Sequence, residues 1–571
     1  MYVDTSKIKT GNKTYTRHLL RESYRENGKV RHRTVANLSS CTEDEIAAIR
    51  LALRHKKELS ELIADKGPSK TKAGGVSGVG CNGKKMEAME VMEVRQGLSI
   101  GAVWLVHEIS KQLGITDALG SGKEGKLALW QVIARVIDQG SRLSAVRLAG
   151  YHGACDLLGL GRFDEDSLYK NLDWLSFNQT KIEDRLYRNL PRKSGLYLYD
   201  VTSSYLEGYD NEYSAFGYNR DGKKGKRQIV IGLLCDGEGV PLSIEVFPGN
   251  TQDVKTFYSQ VRKVSERFNN SEVTLVGDRG MIKSAGIKEV KEAGFHYITA
   301  ITRPQIEKML ASGVFQMGLF EDTVSEITDQ DGTRYVLRRN PVRAKEIIKS
   351  REEKLSRLKK EVLEQNAYLE EHPRSKVETA AQKIIKKTER LRLDYISVSV
   401  SNRELALVIN EEARLEASKL DGCYVLKTDL TNESASKEDI HARYKDLAHV
   451  EWAFRTSKTV ELEVRPVHVR LASRTRGHVF VVMLAYRIVK ELSERWSNID
   501  VTVEEGIKEL CTLCANEVEI KELGRCNQIP KPRESVMRLL DAANVKLPEA
   551  LPCRGIKVTT KKKLTGRRKI P

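Results

Sequence analysis

The sequence predicts an α/β fold: a mixed sheet flanked by helices, carrying a large insertion and preceded by a basic hairpin and a helical region. Three observations carry that prediction. Short β-rich runs bounded by turns follow one another from Leu196-Tyr197-Leu198-Tyr199-Asp200 through Ile229 to Leu234, Leu242 to Phe247, Val273 to Val276 and Tyr297 to Ile301. Helical stretches from Val254 to Phe268 and from Ser284 to Ala293 fall between the later runs, so the order reads β-β-β-α-β-α-β. Beyond them, residues 342–393 are charge-dense and helical, with Ile348, Leu355, Val362 and Leu369 recurring every seven residues.

The elements follow in chain order. Residues 1–65 hold a basic, strand-like stretch and then a helix. Lys29-Val30-Arg31-His32-Arg33 alternates behind Asn27-Gly28, a strong signal for a tight hairpin turn, and Arg17, Arg21 and Arg25 crowd the same hairpin. Thr42, with Glu43 to Glu45 in the first turn, opens the helix. Residues 66–96 begin Gly- and Lys-rich and read as a flexible linker. Residues 97–190 read as a helical DNA-binding region, its helices resting on the spacing of Ile100, Val103, Val106 and Ile109 and of Leu129, Val132, Ile133 and Val136.

Residues 195–305 hold the strands described above. Residues 306–435 form the insertion, whose helical run breaks into a hairpin at His372-Pro373. Residues 436–495 return to helix, 496–553 read as a C-terminal helical region, and the tail 554–571, with eight Lys or Arg and no acid, reads as basic and disordered.

Composition bounds the partners. At 571 residues the chain is too long for one compact core. Its formal charge of +18 and pI near 9.3 point to a polyanion, nucleic acid first. No apolar run reaches the ~18 residues of a membrane span; the longest, Val479 to Tyr486, stops at Arg487. The N-terminus lacks the apolar core of a signal peptide, and nine scattered cysteines read as reduced cytoplasmic thiols. Cys511, Cys514, Cys526 and Cys553 fit no common zinc-finger spacing, the first pair lying within an apparent helix from Val503 to Glu519. Gly120-Ser-Gly-Lys123 lacks the full phosphate-loop pattern, so nucleotide hydrolysis is not indicated.

Three carboxylates carry the chemistry. Asp200 closes one strand-like run and Asp278 another, Val273-Thr-Leu-Val-Gly277-Asp278-Arg279-Gly280. Glu451 lies in a helical stretch from Tyr444 to Lys458. An Asp at a strand end is, taken singly, most often a turn residue. Two at strand ends and one Glu on a helix can converge, and a carboxylate trio is what a pair of Mg²⁺ ions needs for in-line phosphodiester chemistry. On a helix, Glu451, Phe454, Arg455 and Lys458 share one face with Tyr444 two turns earlier, which aims Arg455 and Lys458 at the same phosphate. Asp221, Glu245 and Asp253 are rival acids, ranked below the trio. Beside Asp200, Tyr218-Asn219-Arg220-Asp-Gly-Lys223-Lys224-Gly-Lys226-Arg227 forms a basic loop suited to DNA backbone contact. Arg465, Arg470, Arg474 and Arg476 extend the same track, with His468 and His478 among them.

In this order, Tyr199-Asp200-Val-Thr-Ser-Ser, Phe247-Pro-Gly-Asn250-Thr251, Gly277-Asp278-Arg279-Gly280 and Tyr444, Glu451 and Lys458 resemble the DDE transposases of bacterial insertion sequences, in the branch with a Tyr-Arg-Glu-Lys signature. The resemblance implies a ribonuclease-H-like core split by the insertion. It implies that Asp200, Asp278 and Glu451 are the catalytic and metal-binding triad for Mg²⁺ or Mn²⁺, with Tyr444 and Lys458 the first and last signature residues. The signature Arg position falls on Leu447, and Arg443 or Lys445 are the candidates to replace it. The partners implied are double-stranded DNA, both element terminal inverted repeats and target, bound by a homodimer. The place implied is a bacterial cytoplasm, on the nucleoid when bound. The alternatives are a metal-dependent nuclease on the same core without strand transfer, and a catalytically silent DNA-binding regulator derived from a transposase.

Overall fold

The computed structural model describes residues 2–10, 13–26, 29–39, 41, 46, 49–50, 53, 91–190, 195–208, 210–267, 273–279, 281–282, 284–459, 462–465, 467–520 and 524–561. The chain forms two compact units, Met1–Glu90 and Val91–Pro571. In the first, β1 (Tyr2–Thr10), β2 (Lys13–Glu26) and β3 (Lys29–Asn37) make an antiparallel sheet. Glu26 pairs with Lys29 across the expected hairpin, and β1 adds a third strand that composition alone did not separate. Part of its positive charge is neutralised locally, Arg21 on Asp4 at 2.9 Å and Arg33 on Glu22 at 2.6 Å. The helix start at Thr42 and the Gly-rich linker lie outside the described residues.

The second unit is built on an eight-stranded mixed sheet. Its members are β5 (Leu196–Tyr205), β6 (Gln228–Asp236), β7 (Pro241–Pro248), β8 (Thr274–Gly277), β9 (His296–Ala300), β10 (Ser325–Thr328), β11 (Arg334–Arg339) and β14 (Cys423–Thr428), in spatial order β10-β11-β14-β9-β8-β5-β6-β7. Strands β5, β6 and β7 are antiparallel; β8 and β9 continue parallel to β5. Three antiparallel strands joined to two parallel ones through the first strand is the ribonuclease-H-like arrangement, and the β-β-β-α-β-α-β order is the one expected. All nine residues of β6, next to the edge strand β7, are buried, which is why it reads as a nearly continuous apolar run. Gly232 opposes Val201 across the ladder, and a Cβ there would meet the Tyr199 hydroxyl at 2.2 Å. Glycine at 232 is what leaves room for the Tyr199 side chain of β5 to reach across β6.

The helix Ala472–Arg495 crosses this sheet and is buried on every face from Thr475 to Val489, except at Arg476. Arg487, which stops the longest apolar run in the sequence, is buried too and donates to the Pro241 carbonyl at 3.1 Å. No helix among the described residues is long and apolar enough to cross a membrane. Helices from Gly101–Gln112 to Glu165–Arg188 pack on the other side, and one hydrophobic cluster runs from Trp130 and Leu172 to Phe480 and Leu484. A Cβ on Gly477 would lie 2.2 Å from the Leu172 carbonyl, so the two long helices touch backbone to backbone there. Residues 97–99 are strand, and the helices from Gly101 to Arg188 share the core of the sheet.

Three expectations are corrected. Residues 91–96, read as linker, belong to β4 (Val91–Ser99), which pairs with β15 (Cys514–Ile520); β16 (Gly524–Gln528) and β17 (Ala550–Pro552) complete a four-stranded sheet. The region 496–553 is therefore only partly helical, and the helix expected from Val503 to Glu519 stops at Cys511. The insertion is not separate from the core: β10, β11 and β14 extend the main sheet through β9. Its helices Pro341–Glu371 and Val377–Leu391 form the expected hairpin and pack, with β12 (Ile396–Ser401) and β13 (Glu404–Ile409), on Leu358, Val362, Leu369 and Ile384. The heptad stretch is thus buried within the chain, apart from Ile348, which is exposed.

Candidate active site

Register places the first two acids. Tyr199 on β5 pairs with Gly277, the last residue of the parallel β8, so Asp200 on β5 and Asp278 just past the end of β8 follow directly on paired neighbours. Each carboxylate turns back on its own chain: Asp200 accepts from the Val201 N–H and Asp278 from the Arg279 N–H, both at 2.7 Å. Glu451 comes from the helix Ala448–Lys458, which buries Val450, Ala453 and Phe454 and leaves Glu451 exposed towards the sheet edge. The three carboxylates line one open pocket of about 290 Å³ with Val201, Thr202, Arg220, Asp253, Met281 and Phe454.

The electrostatics of that pocket are unfavourable in one specific way. The Asp200 carboxyl is pushed up to about 7. Burial is the main cause, and the negative charges of Asp278 and Glu451 add to it; the Val201 N–H and the Arg220 guanidinium pull the other way. Asp253, ranked low in the sequence, is a fourth acid on this wall. It sits at the start of the helix Asp253–Arg267, and Arg220 holds both its oxygens at 2.7 Å. Its position in a first helical turn is an ordinary N-terminal signal, so nothing local marked it as part of the site.

The donors are hard carboxylate oxygens, which suit Mg²⁺ or Mn²⁺ in kind. A dication among them would oppose the like-charge repulsion that raises Asp200. Among the described residues, no three His, Cys, Asp or Glu side chains are already arranged to hold an ion.

The signature residues are placed differently from one another. Tyr444 is buried enough to raise its phenol and points its hydroxyl at Asp278 Oδ1, 3.4 Å away. It is not on the Glu451 helix: Lys437–Lys445 ends first, and a tight turn at Asp446-Leu447 intervenes, closed by His449 N–H to Asp446 and Val450 N–H to Leu447. Leu447, at the signature Arg position, is a core residue. Arg455 is exposed. Lys458 is held by Asp221 at 2.8 Å, its side chain only 11% exposed.

In the basic loop, Lys223 and Lys224 are exposed, Lys226 pairs with Glu207 at 2.8 Å, and Arg227 lies over Phe216. Arg220 lies over Tyr218, and both aromatic rings face solvent. Of the later arginines, Arg465 pairs with Asp221 at 2.6 Å, Arg474 with Asp173 at 3.1 Å and Arg470 with Asp210 at 3.7 Å, while Arg476 donates to Ser176 and Tyr213. His478 is buried against Arg142. Cys511, Cys514, Cys526 and Cys553 are free thiols.

Residues 191–488 match the transposase DDE domain, and the chain belongs to that family of DNA-cleaving enzymes. Residues 3–66 match the N-terminal domain of IS1634 family transposases, so this is a transposase of the insertion-sequence kind. A solved structure, the piggyBac transposase synaptic complex with hairpin DNA, is similar at 12% identity and a TM-score of 0.36, over 72% of this chain and 75% of that one. No curated protein matches.

Proposed function

We propose that this transposase cuts and joins the ends of its element at the pocket formed by Asp200, Asp278 and Glu451, with two Mg²⁺ or Mn²⁺ ions as cofactors. The observation that supports this most is the convergence of acids from β5, the end of β8 and the helix Ala448–Lys458, far along the chain, with the Asp200 carboxyl raised by burial and by its two partners. Asp200, Asp278 and Glu451 would hold the divalent ions, which would supply Lewis-acid activation of the attacking hydroxyl and stabilisation of the leaving oxygen. The chain's own residues do the rest. Asp200 and Asp278 are fixed by adjacent strands, so their spacing depends on a backbone ladder and not on side-chain choice. Tyr444 orients Asp278.

Double-stranded DNA is the partner, element ends and target alike, with the protein acting as a homodimer. Arg455, Lys223, Lys224 and Arg227 offer cations near the pocket for backbone contact, and Arg220 and Lys226 can exchange their acidic partners for phosphate. The test is a nicking assay on end-containing DNA with Mg²⁺ or Mn²⁺, for the intact chain and for Asp278→Asn. Metal-dependent nicking lost in the variant is expected. Equal nicking by both would refute the assignment of the pocket.

A further inference from the structure

Asp221 lies outside the carboxylate pocket, yet it is the most heavily engaged acid near it. Its side chain is 2% exposed. Lys458 and Arg465 both donate to Oδ1, at 2.8 and 2.6 Å, and the Tyr205 N–H donates to Oδ2 at 3.1 Å. Its own N–H donates to Asn219 at 2.9 Å. One carboxylate therefore ties four pieces of chain: the end of β5, the basic loop, the last residue of the Glu451 helix, and the segment after it. Two cations on one nearly buried acid leave a surplus positive charge. Removing the acid would strand both, an arrangement more costly than any exposed pair.

The neighbouring residue gives the node its significance. Arg220 precedes Asp221 in the loop, donates its N–H to Ser203 on β5 at 2.9 Å, and reaches the pocket wall through Asp253. Lys458 ends the helix that carries Glu451 two turns earlier. The Asp221 node thus sets where Arg220 and Glu451 stand relative to Asp200.

We infer that Asp221 is a positioning residue for the phosphodiester chemistry, and that Lys458 acts through it as an internal brace rather than as a contact to DNA phosphate. The inference rests on the proposed function for its activity readout, but the brace itself is a property of the folded chain.

The test compares the full chain with Asp221→Asn, Lys458→Met and the double variant by urea unfolding, DNA-end binding across salt, and metal-dependent nicking. Each single variant should lower nicking by roughly 10–100-fold, the size of effect that an ångström of misplacement produces. The double should be no worse than the worse single, because the two residues act as one unit. The log–log salt slope of Lys458→Met should equal that of the unaltered chain. A slope shallower by about 0.9, the loss of one phosphate contact, would overturn the inference; so would wild-type nicking by Asp221→Asn. If the unaltered chain neither binds nor nicks DNA, the functional reading fails. The brace is then decided by unfolding alone: non-additive midpoint shifts uphold it and additive ones remove it. If Asp221→Asn does not fold, Arg465→Met replaces it, removing only the more exposed of the two cations.

Discussion

Arg220 sets one guanidinium nitrogen 2.7 Å from both carboxylate oxygens of Asp253, on the wall of the pocket that holds Asp200, Asp278 and Glu451. The pair brings a positive charge into a cluster of four acids without adding a net charge of its own. It also pulls the Asp200 carboxyl downward, against burial and its two acidic neighbours. Arg220→Ala should therefore push Asp200 further above about 7 and move the pH midpoint of Mn²⁺ binding upward. Calorimetric Mn²⁺ titrations from pH 6 to 8 give the midpoint; an unmoved midpoint would show that Arg220 does not act on Asp200.

Glu451→Gln removes a full charge and a strong oxygen ligand while keeping size. Nicking should fall by more than the 10–100-fold typical of residues that only support a metal's ligands. DNA binding should hold or tighten, because one anion near phosphate is gone. A gel-shift titration beside the nicking assay separates the two effects. Nicking at the unaltered rate would remove Glu451 from the triad.

The raised Asp200 carboxyl fixes the sign of a pH effect. Its folded value, about 7, lies above the ordinary carboxylate value of 3.8. The folded chain therefore holds this proton more tightly, and its contribution to stability, complete below the ordinary value, is lost as pH rises through about 7. Metal reverses the trend, since a ligating carboxylate must first lose its proton. Melting curves should show a larger Mn²⁺-induced rise in Tm at pH 8 than at pH 6, and Asp200→Asn should flatten that difference. An equal rise at both pH values would mean that Asp200 is not a ligand.

End selection should reside largely in the first compact unit. Arg17, Arg25 and Arg31 are exposed basic residues on its three-stranded sheet. A chain starting at Val91 keeps the sheet, the pocket and β4, so it should still bind DNA but lose preference for element ends. A competition gel shift with end and scrambled duplexes measures this. Undiminished preference would move recognition into the second unit.

The core was legible because its strands are largely buried and announce themselves as apolar runs; Asp278 follows a strand end as expected, but β5 runs on to Tyr205, so Asp200, read as closing its run, lies in mid-strand. The helical hairpin was legible because His372-Pro373 ends a helix wherever it falls. What stayed hidden lacked a local cause. Val91 to Ser99 and Cys514 to Ile520 make sense only as partners of each other. The turn at Asp446-Leu447 has no Gly or Pro to mark it, so Tyr444 and Glu451 looked continuous. Asp253 and Asp221 differ from other loop and helix-end acids only in what folds against them.

The pairing of β4 with β15 has a consequence during synthesis. Gln96 meets Cys514 across 418 residues of chain. At ribosomal rates of about 5–20 residues per second, the first strand of the second unit waits roughly 20–80 s for its partner. Until then β4 offers an unpaired edge, and Glu451 is itself made long after Asp200. A nascent transposase therefore cannot complete its second unit until the strand Cys514–Ile520 has been made.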